Sequence, residues 1–92
     1  MIIDVRSPEE YATGHVEGAV NIPVDEIMAG HLGALEGTAK DELLEVYCLS
    51  GARAKYAVMF LQSVGFSNVI NLGSLEDALG RKTQKIREKD NQ

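Results

Sequence analysis

The chain of 92 residues is 45% hydrophobic and 25% charged, a composition typical of a compact globular protein and unlike that of a disordered chain. At this length it is expected to form one domain around a single modest core. Its one cysteine excludes an internal disulfide, and no apolar run approaches the ~20 residues needed to span a bilayer.

The charge is divided unevenly between the body of the chain and its carboxyl end. Residues 1–80 carry 4 basic and 12 acidic side chains (net −8), whereas residues 81–92 carry 5 basic and 2 acidic ones (net +3). The acidic body argues against nucleic acid as a partner, because phosphate binding requires a basic face. We predict one domain over residues 1–80 and a flexible basic tail over 81–92, with docking to an acidic partner as the alternative for the tail.

The amino-terminal residues show no basic segment followed by an apolar one, which is the pattern of a secretory signal peptide. We therefore expect a cytoplasmic protein that does not contact a membrane. A periplasmic protein whose signal peptide has been removed would have the same sequence, and this alternative stays open.

Taken in chain order, the segments alternate between strand and helix: a strand at residues 2–5, a helix at 8–13, a strand at 19–22, a helix at 24–30, a strand at 43–47, a helix at 53–64, a strand at 68–72 and a short helix at 75–79. The strands are β-branched or continuously apolar, and the longest helix repeats apolar residues at intervals of three and four. Short connections favour a parallel sheet with right-handed crossovers and helices on both faces. The predicted fold class is therefore α/β.

Two of the predicted helices have informative local patterns. Ser7, Pro8 and Glu10 have the types and spacing of a helix start, with Ser7 as the cap and Glu10 returning a bond to it. The helix at 53–64 has apolar residues around most of its circumference, so we expect it to be buried on most sides. The residues that widen its apolar face are Tyr56, Met59 and Phe60.

Cys48 follows the apolar strand at 43–47 and precedes a small-residue turn into the next helix. Parallel sheets bind ligands beyond the carboxyl ends of their strands, which is where Cys48 lies. Unpaired amides of residues 49–53, the helix dipole and Arg53 would all stabilise a thiolate there. The alternative is a cysteine buried as a small hydrophobe, but such a residue needs neither a glycine turn nor a following arginine. We therefore interpret Cys48 as a nucleophile.

Three segments resemble the motifs of the rhodanese-like domain family in their order and spacing: residues 4–11 (DVRSPEEY), 14–23 (GHVEGAVNIP) and 47–54 (YCLSGARA). The resemblance extends from residue 2 to about residue 80 and is closest to the short single-domain members. It implies a three-layer fold with a mostly parallel central sheet, and a sulfurtransferase without a cofactor. In the family, a cysteine takes the outer sulfur of thiosulfate or another sulfane donor as a persulfide, and a second nucleophile then removes it.

Carried onto this chain, the resemblance implies that Cys48 is the nucleophile and persulfide carrier, and that Arg53 contacts an anionic donor. The residues whose amides are expected to surround the sulfur are Leu49, Ser50, Gly51, Ala52 and Arg53. Arg6 is a further candidate for substrate binding, whereas Asp4 is expected to brace the neighbouring loops. A thiol or cyanide is the expected acceptor, and a thioredoxin-like protein is a further candidate.

Two other functions share these features. A cysteine phosphatase or arsenate reductase of this fold would enclose five residues between cysteine and arginine, whereas Cys48 and Arg53 enclose four, a smaller ring that suits a sulfur atom. A non-catalytic binding module of rhodanese type commonly lacks the cysteine that this chain keeps. No metal site is predicted, because His15, His31 and Cys48 lack ligand spacing, and His15 is expected to hold the turn that follows the first helix.

Overall fold

The computed structural model describes residues 1–80, so the basic tail predicted at 81–92 lies outside the described residues. The strands are β1 (Ile2–Asp4), β2 (Val20–Asn21), β3 (Leu44–Cys48) and β4 (Val69–Ser74). The helices are α1 (Pro8–Thr13), α2 (Val24–Met28), α3 (Ala52–Ser63) and α4 (residues 75–80), with a 3₁₀ turn at Gly33–Leu35. The predicted alternation of strands and helices is confirmed. None of these helices is both long enough and apolar enough to cross a membrane.

All four strands run parallel, in the order β2-β1-β3-β4. The connection through α1 leads from β1 to one edge of the sheet, whereas the connection through α3 leads from β3 to the opposite edge. The strand order therefore reverses between β1 and β3, and sheets of this kind bind ligands in the crevice at that point. Asp4 is paired with Tyr47 across the two strands. The next residues, Val5 and Cys48, consequently lie side by side at the carboxyl edge.

Apolar side chains form a core on each face of the sheet. One core combines residues of the sheet with residues of α2 and α3, including Ile27, Val46 and Leu61. The other includes Tyr47 and Ala78, the latter from α4. Successive residues of a strand point to opposite faces of the sheet. Val46 belongs to the first core and Tyr47 to the second, so the two cores lie on opposite faces. The predicted α/β class, with a parallel sheet and helices on both faces, is confirmed.

The outer surface of α3 is more exposed than the sequence indicates. Ala54, Ala57 and Leu61 are buried at helical spacing, as expected. Tyr56 and Met59, however, are 58% and 56% exposed. The prediction that this helix is buried on most sides is therefore wrong. β3, β4 and α2 pack against α3, and the helix residues that are fully buried lie on one face.

A buried ion pair at the end of β1 is hydrogen-bonded to Tyr47 of β3. Asp4 is fully buried and Arg6 is 3% exposed, and the Nε and Nη2 groups of Arg6 donate to both carboxylate oxygens of Asp4. The Tyr47 hydroxyl donates to Oδ2 of Asp4 at 2.8 Å and accepts the Val16 amide at 3.0 Å. Burial raises the pKa of Tyr47 to about 12, so the hydroxyl stays a neutral donor. These bonds give Asp4 the bracing role expected from the sequence.

Candidate active site

Cys48 is the last residue of β3, and a short turn leads from it into α3. Gly51 is the N-cap of α3 with φ of 93°, a left-handed conformation that favours glycine. Its N–H donates to Sγ of Cys48 at 2.8 Å. No side chain caps α3, so its first amide groups lack the usual partner. The sulfur therefore lies at the open, electropositive start of a twelve-residue helix.

Cys48 has no exposed surface, yet its sulfur faces the turn that follows it. Leu49, the next residue, is 57% exposed. Cys48 also belongs to the core cluster that includes Val46, so its burial alone would suit a small hydrophobe. The hydrogen bond from the turn is the feature that such a role does not require.

Asn71, which the sequence analysis did not single out, fastens this loop to β4. Its Nδ2 donates to the carbonyl oxygen of Gly51 at 3.3 Å, and its Oδ1 accepts the N–H of Gly73 at 2.7 Å. The two glycines approach closely, since a Cβ on Gly51 would lie 3.4 Å from Cα of Gly73. The one sequence signal for this contact is a polar residue between the apolar positions Ile70 and Leu72 of β4.

Arg53, in the first turn of α3, forms a bidentate ion pair with Glu10 of α1. Nη1 and Nη2 donate to the two carboxylate oxygens at 2.8 and 3.1 Å. Glu10 also completes the predicted capping box, because its Oε1 accepts the Ser7 amide at 3.0 Å while Ser7 Oγ accepts the Glu10 amide. The bonds from Arg53 and Ser7 lower the pKa of Glu10 to about 2, and Glu10 in turn raises the pKa of Arg53. The pair thereby connects the first motif of the chain to the cysteine loop.

Both arginines predicted to bind substrate are thus paired with carboxylates. Arg6 faces the interior, where it bonds Asp4 and, through Nη2, the carbonyl oxygen of Gly14. This position argues against the substrate contact predicted for Arg6. The side chain of Arg53 is 37% exposed, and two of its five N–H groups are used by Glu10, so a donor contact by Arg53 stays a prediction.

Of the amides predicted to surround the sulfur, one is found bonded to it. The amide is that of Gly51, in the middle of the loop from Cys48 to Arg53. The amides of the other four residues stay a prediction for the reacting state; these residues are Leu49, Ser50, Ala52 and Arg53.

A cavity of about 280 Å³ lies beside the loop. Its apolar lining includes Val5, which is adjacent to Cys48 in the sheet, together with Pro23 and Val24. The charged residues of its lining are Glu9, Asp25 and Arg53. Because Arg53 belongs to the cysteine loop and Val5 to the neighbouring strand end, the cavity borders the site.

His15 holds the turn after α1, as predicted. Its ring stacks on that of Tyr11 with centroids 3.7 Å apart, and its Nδ1 is 2.9 Å from the Tyr11 carbonyl oxygen. These contacts are structural and lie outside the cysteine loop.

The family model of the rhodanese-like domain matches residues 1–78, which is most of the chain. The chain belongs to the rhodanese-like domain family. The chain is 39% identical over 75 residues to the thiosulfate sulfurtransferase PspE of Escherichia coli (strain K12), across 82% of this chain and 70% of the relative. Several further relatives are longer proteins, of which the chain spans between 18% and 36%.

Two solved structures show the same fold as this chain. A rhodanese with anions from E. coli gives a TM-score of 0.73 at 36% identity, covering 83% of this chain and 87% of the other. The human single-domain sulfurtransferase TSTD1 gives a TM-score of 0.67 at 32% identity, covering 86% and 80%. The predicted rhodanese-like fold is confirmed, and the relatives place this chain with the sulfurtransferases of the family.

The Glu10–Arg53 ion pair stabilises the fold only while Glu10 is ionised, so we expect the stability of the protein to fall at acid pH. The pKa of Glu10 is about 2 in the folded protein, below its ordinary value of 4.5, so the pair contributes fully above the ordinary value. That contribution is lost as the pH falls from about 4.5 toward 2. We expect the free energy of unfolding, measured with urea, to fall more steeply over this range in the wild type than in Glu10→Gln. The exposed neighbour variant Glu9→Gln is the control, and equal slopes in wild type and Glu10→Gln would contradict the expectation.

Proposed function

We propose that this protein is a thiosulfate sulfurtransferase that stores sulfur as a persulfide on Cys48 and passes it to cyanide or a thiol. The observation that carries the proposal is the hydrogen bond from the Gly51 amide to Sγ at the start of α3. The start of a helix favours negative charge, and the thiolate is the form of cysteine that attacks. The relative PspE, which is named a thiosulfate sulfurtransferase, supports the choice of donor.

In the first step, the Cys48 thiolate attacks the outer sulfur of thiosulfate. The S–S bond of thiosulfate breaks, its electron pair leaves with sulfite, and the outer sulfur stays on Cys48. Charge is conserved, because a thiolate and a thiosulfate dianion give a persulfide anion and a sulfite dianion. Fixed amide dipoles at the start of α3 would stabilise the negative charge on the transferred sulfur throughout this step.

In the second step, cyanide or a thiolate attacks the outer sulfur of the persulfide. The bond between the two sulfurs breaks, and its electron pair returns to Cys48, which is again a thiolate. The product is thiocyanate or a new persulfide. We assign Cys48 the covalent role in both steps, and the amides of the loop at 49–53 the role of binding the donor and the transferred sulfur.

Arg53 is proposed to act at the edge of the donor site. Its N–H groups that Glu10 does not use would bind an oxygen of the donor, while the ion pair with Glu10 fixes the guanidinium in place. A rhodanese from E. coli was solved with anions, which supports an anionic donor for this chain.

Two turnover assays separate this function from its alternatives. We expect the protein to form thiocyanate from thiosulfate and cyanide, and to release no phosphate from an aryl phosphate. Phosphate release that is abolished by Cys48→Ser, without thiocyanate formation, would favour a phosphatase. Neither activity, together with a Cys48 that resists alkylation at neutral pH, would favour a non-catalytic binding module.

A further inference from the structure

The cavity beside the loop has an excess of negative charge. Glu9 and Asp25 of its lining are exposed, and within residues 1–80 neither side chain has a hydrogen-bond or ion-pair partner. Arg53 is the cation of this lining, and it is already paired by both of its terminal nitrogens with Glu10. A ligand in the cavity therefore contacts the unpaired carboxylates of Glu9 and Asp25, and an Arg53 guanidinium whose positive charge is balanced by Glu10.

Val5 connects this cavity to the nucleophile. The Val5 amide donates to the carbonyl oxygen of Tyr47 at 3.0 Å, immediately before Cys48, and the Val5 carbonyl accepts the amide of Val24 at 3.0 Å. One residue thus joins the end of the strand that carries Cys48 to the start of the helix that carries Asp25. A molecule that lies along Val5 would have one end toward the strand end that carries Cys48 and the other toward Asp25.

The size and lining of the cavity restrict the ligand. A volume of about 280 Å³ is slightly below the range of about 300–1,000 Å³ for pockets that hold drug-sized molecules, so the cavity fits a small molecule. Apolar walls from Val5, Pro23 and Val24 suit a short methylene chain. The carboxylates favour a positive charge and disfavour a dianion such as thiosulfate.

We propose that this cavity is the acceptor site and that it takes a small aminothiol, with its ammonium group toward Asp25 and Glu9 and its sulfur toward Cys48. The proposal rests on the persulfide function proposed above. The thiol loses its proton to solvent, and the thiolate attacks the outer sulfur of the Cys48 persulfide. The S–S bond breaks, the Cys48 thiolate leaves with the electron pair, and the acceptor departs as its own persulfide.

Three acceptors with the same two-carbon chain test the charge preference: cysteamine (positive), 2-mercaptoethanol (neutral) and 2-mercaptoethanesulfonate (negative). The protein is first loaded with sulfur from thiosulfate and freed of excess donor, and the loss of the persulfide is then followed by intact mass. The selectivity is the rate with cysteamine divided by the rate with the sulfonate. Comparison of this ratio between wild type and variants cancels the intrinsic nucleophilicity of each thiol.

At low salt we expect the selectivity to fall about threefold in Asp25→Asn and about tenfold in Glu9→Gln/Asp25→Asn, and the wild-type preference to shrink as salt is added. The matched control is Asp41→Asn, which removes the same charge from an exposed residue just before β3. Asp41 therefore lies at the amino end of the parallel strands, away from the carboxyl end where Cys48 lies. This control is expected to keep the wild-type selectivity.

Unchanged selectivity in the double variant would overturn the acceptor site. An equal fall in Asp41→Asn would also overturn it, because the preference would then come from the net charge of the whole protein. Failure of the wild type to take up sulfur from any donor would instead overturn the proposed function, and this inference with it. The two failures are therefore distinguishable.

Discussion

Replacement of Cys48 with serine is expected to lower the turnover of thiosulfate by at least about a thousandfold. A serine hydroxyl is not ionised at neutral pH, and its oxygen cannot carry the transferred sulfur. The hydroxyl is small enough for the site and can still accept the Gly51 amide, so the fold should be retained. Thiocyanate formation measures the loss, and the urea midpoint shows whether the variant is folded.

The control for this variant is Ser63→Ala, at the carboxyl end of α3 and exposed. It is expected to keep wild-type turnover. A Cys48→Ser protein that is folded and retains more than about a tenth of the wild-type rate would contradict a covalent role for this sulfur.

The largest expected effect on stability comes from Asp4→Ala. This change leaves the Arg6 guanidinium buried without its counter-charge, and it also removes the acceptor of the Tyr47 hydroxyl. Loss of one partner of a buried pair costs about 3–5 kcal/mol, a large part of the roughly 5–15 kcal/mol that stabilises a small domain. Urea denaturation should show a much lower midpoint or no folded baseline.

A second variant makes this expectation sharper. Asp4→Ala/Arg6→Met removes the uncompensated charge as well, so it is expected to be more stable than Asp4→Ala alone. The milder Asp4→Asn keeps the shape of the side chain and should fall between wild type and Asp4→Ala. A double variant less stable than Asp4→Ala would show that the ion pair is not the source of the effect.

The parts of the fold that follow from local chemistry could be predicted from the sequence. The capping box of α1 depends on Ser7 and Glu10, which are three residues apart, and it forms as expected. The position of Cys48 between a buried strand and an uncapped helix could likewise be predicted, because it depends on residues that are consecutive in the chain. Such features depend on backbone geometry over a few residues, which sequence patterns report well.

The contacts that the sequence did not indicate are those between distant segments. Glu10 was recognisable as a capping residue, but its partner Arg53 lies 43 residues away and meets it only because β1 and β3 are neighbours. Asn71 reaches the cysteine loop for the same kind of reason, since β4 pairs with β3.

Local sequence patterns also failed to predict which individual side chains are buried. Arg6 follows the first strand and was expected to be available to substrate, but its guanidinium is buried against Asp4. Tyr56 and Met59 have the character of core residues, yet the sheet reaches only one side of their helix. Each outcome depends on which elements pack together, and helical spacing alone does not report that.

We propose that the sulfur of Cys48, held at the start of α3, can hold a second sulfur atom. Intact-mass measurement after incubation with thiosulfate tests it most directly. We expect the wild type to gain the mass of one sulfur atom, to lose it again when cyanide is added, and Cys48→Ser to gain nothing. The same gain in Cys48→Ser, or no gain in the wild type with thiosulfate or any other sulfane donor, would contradict the claim.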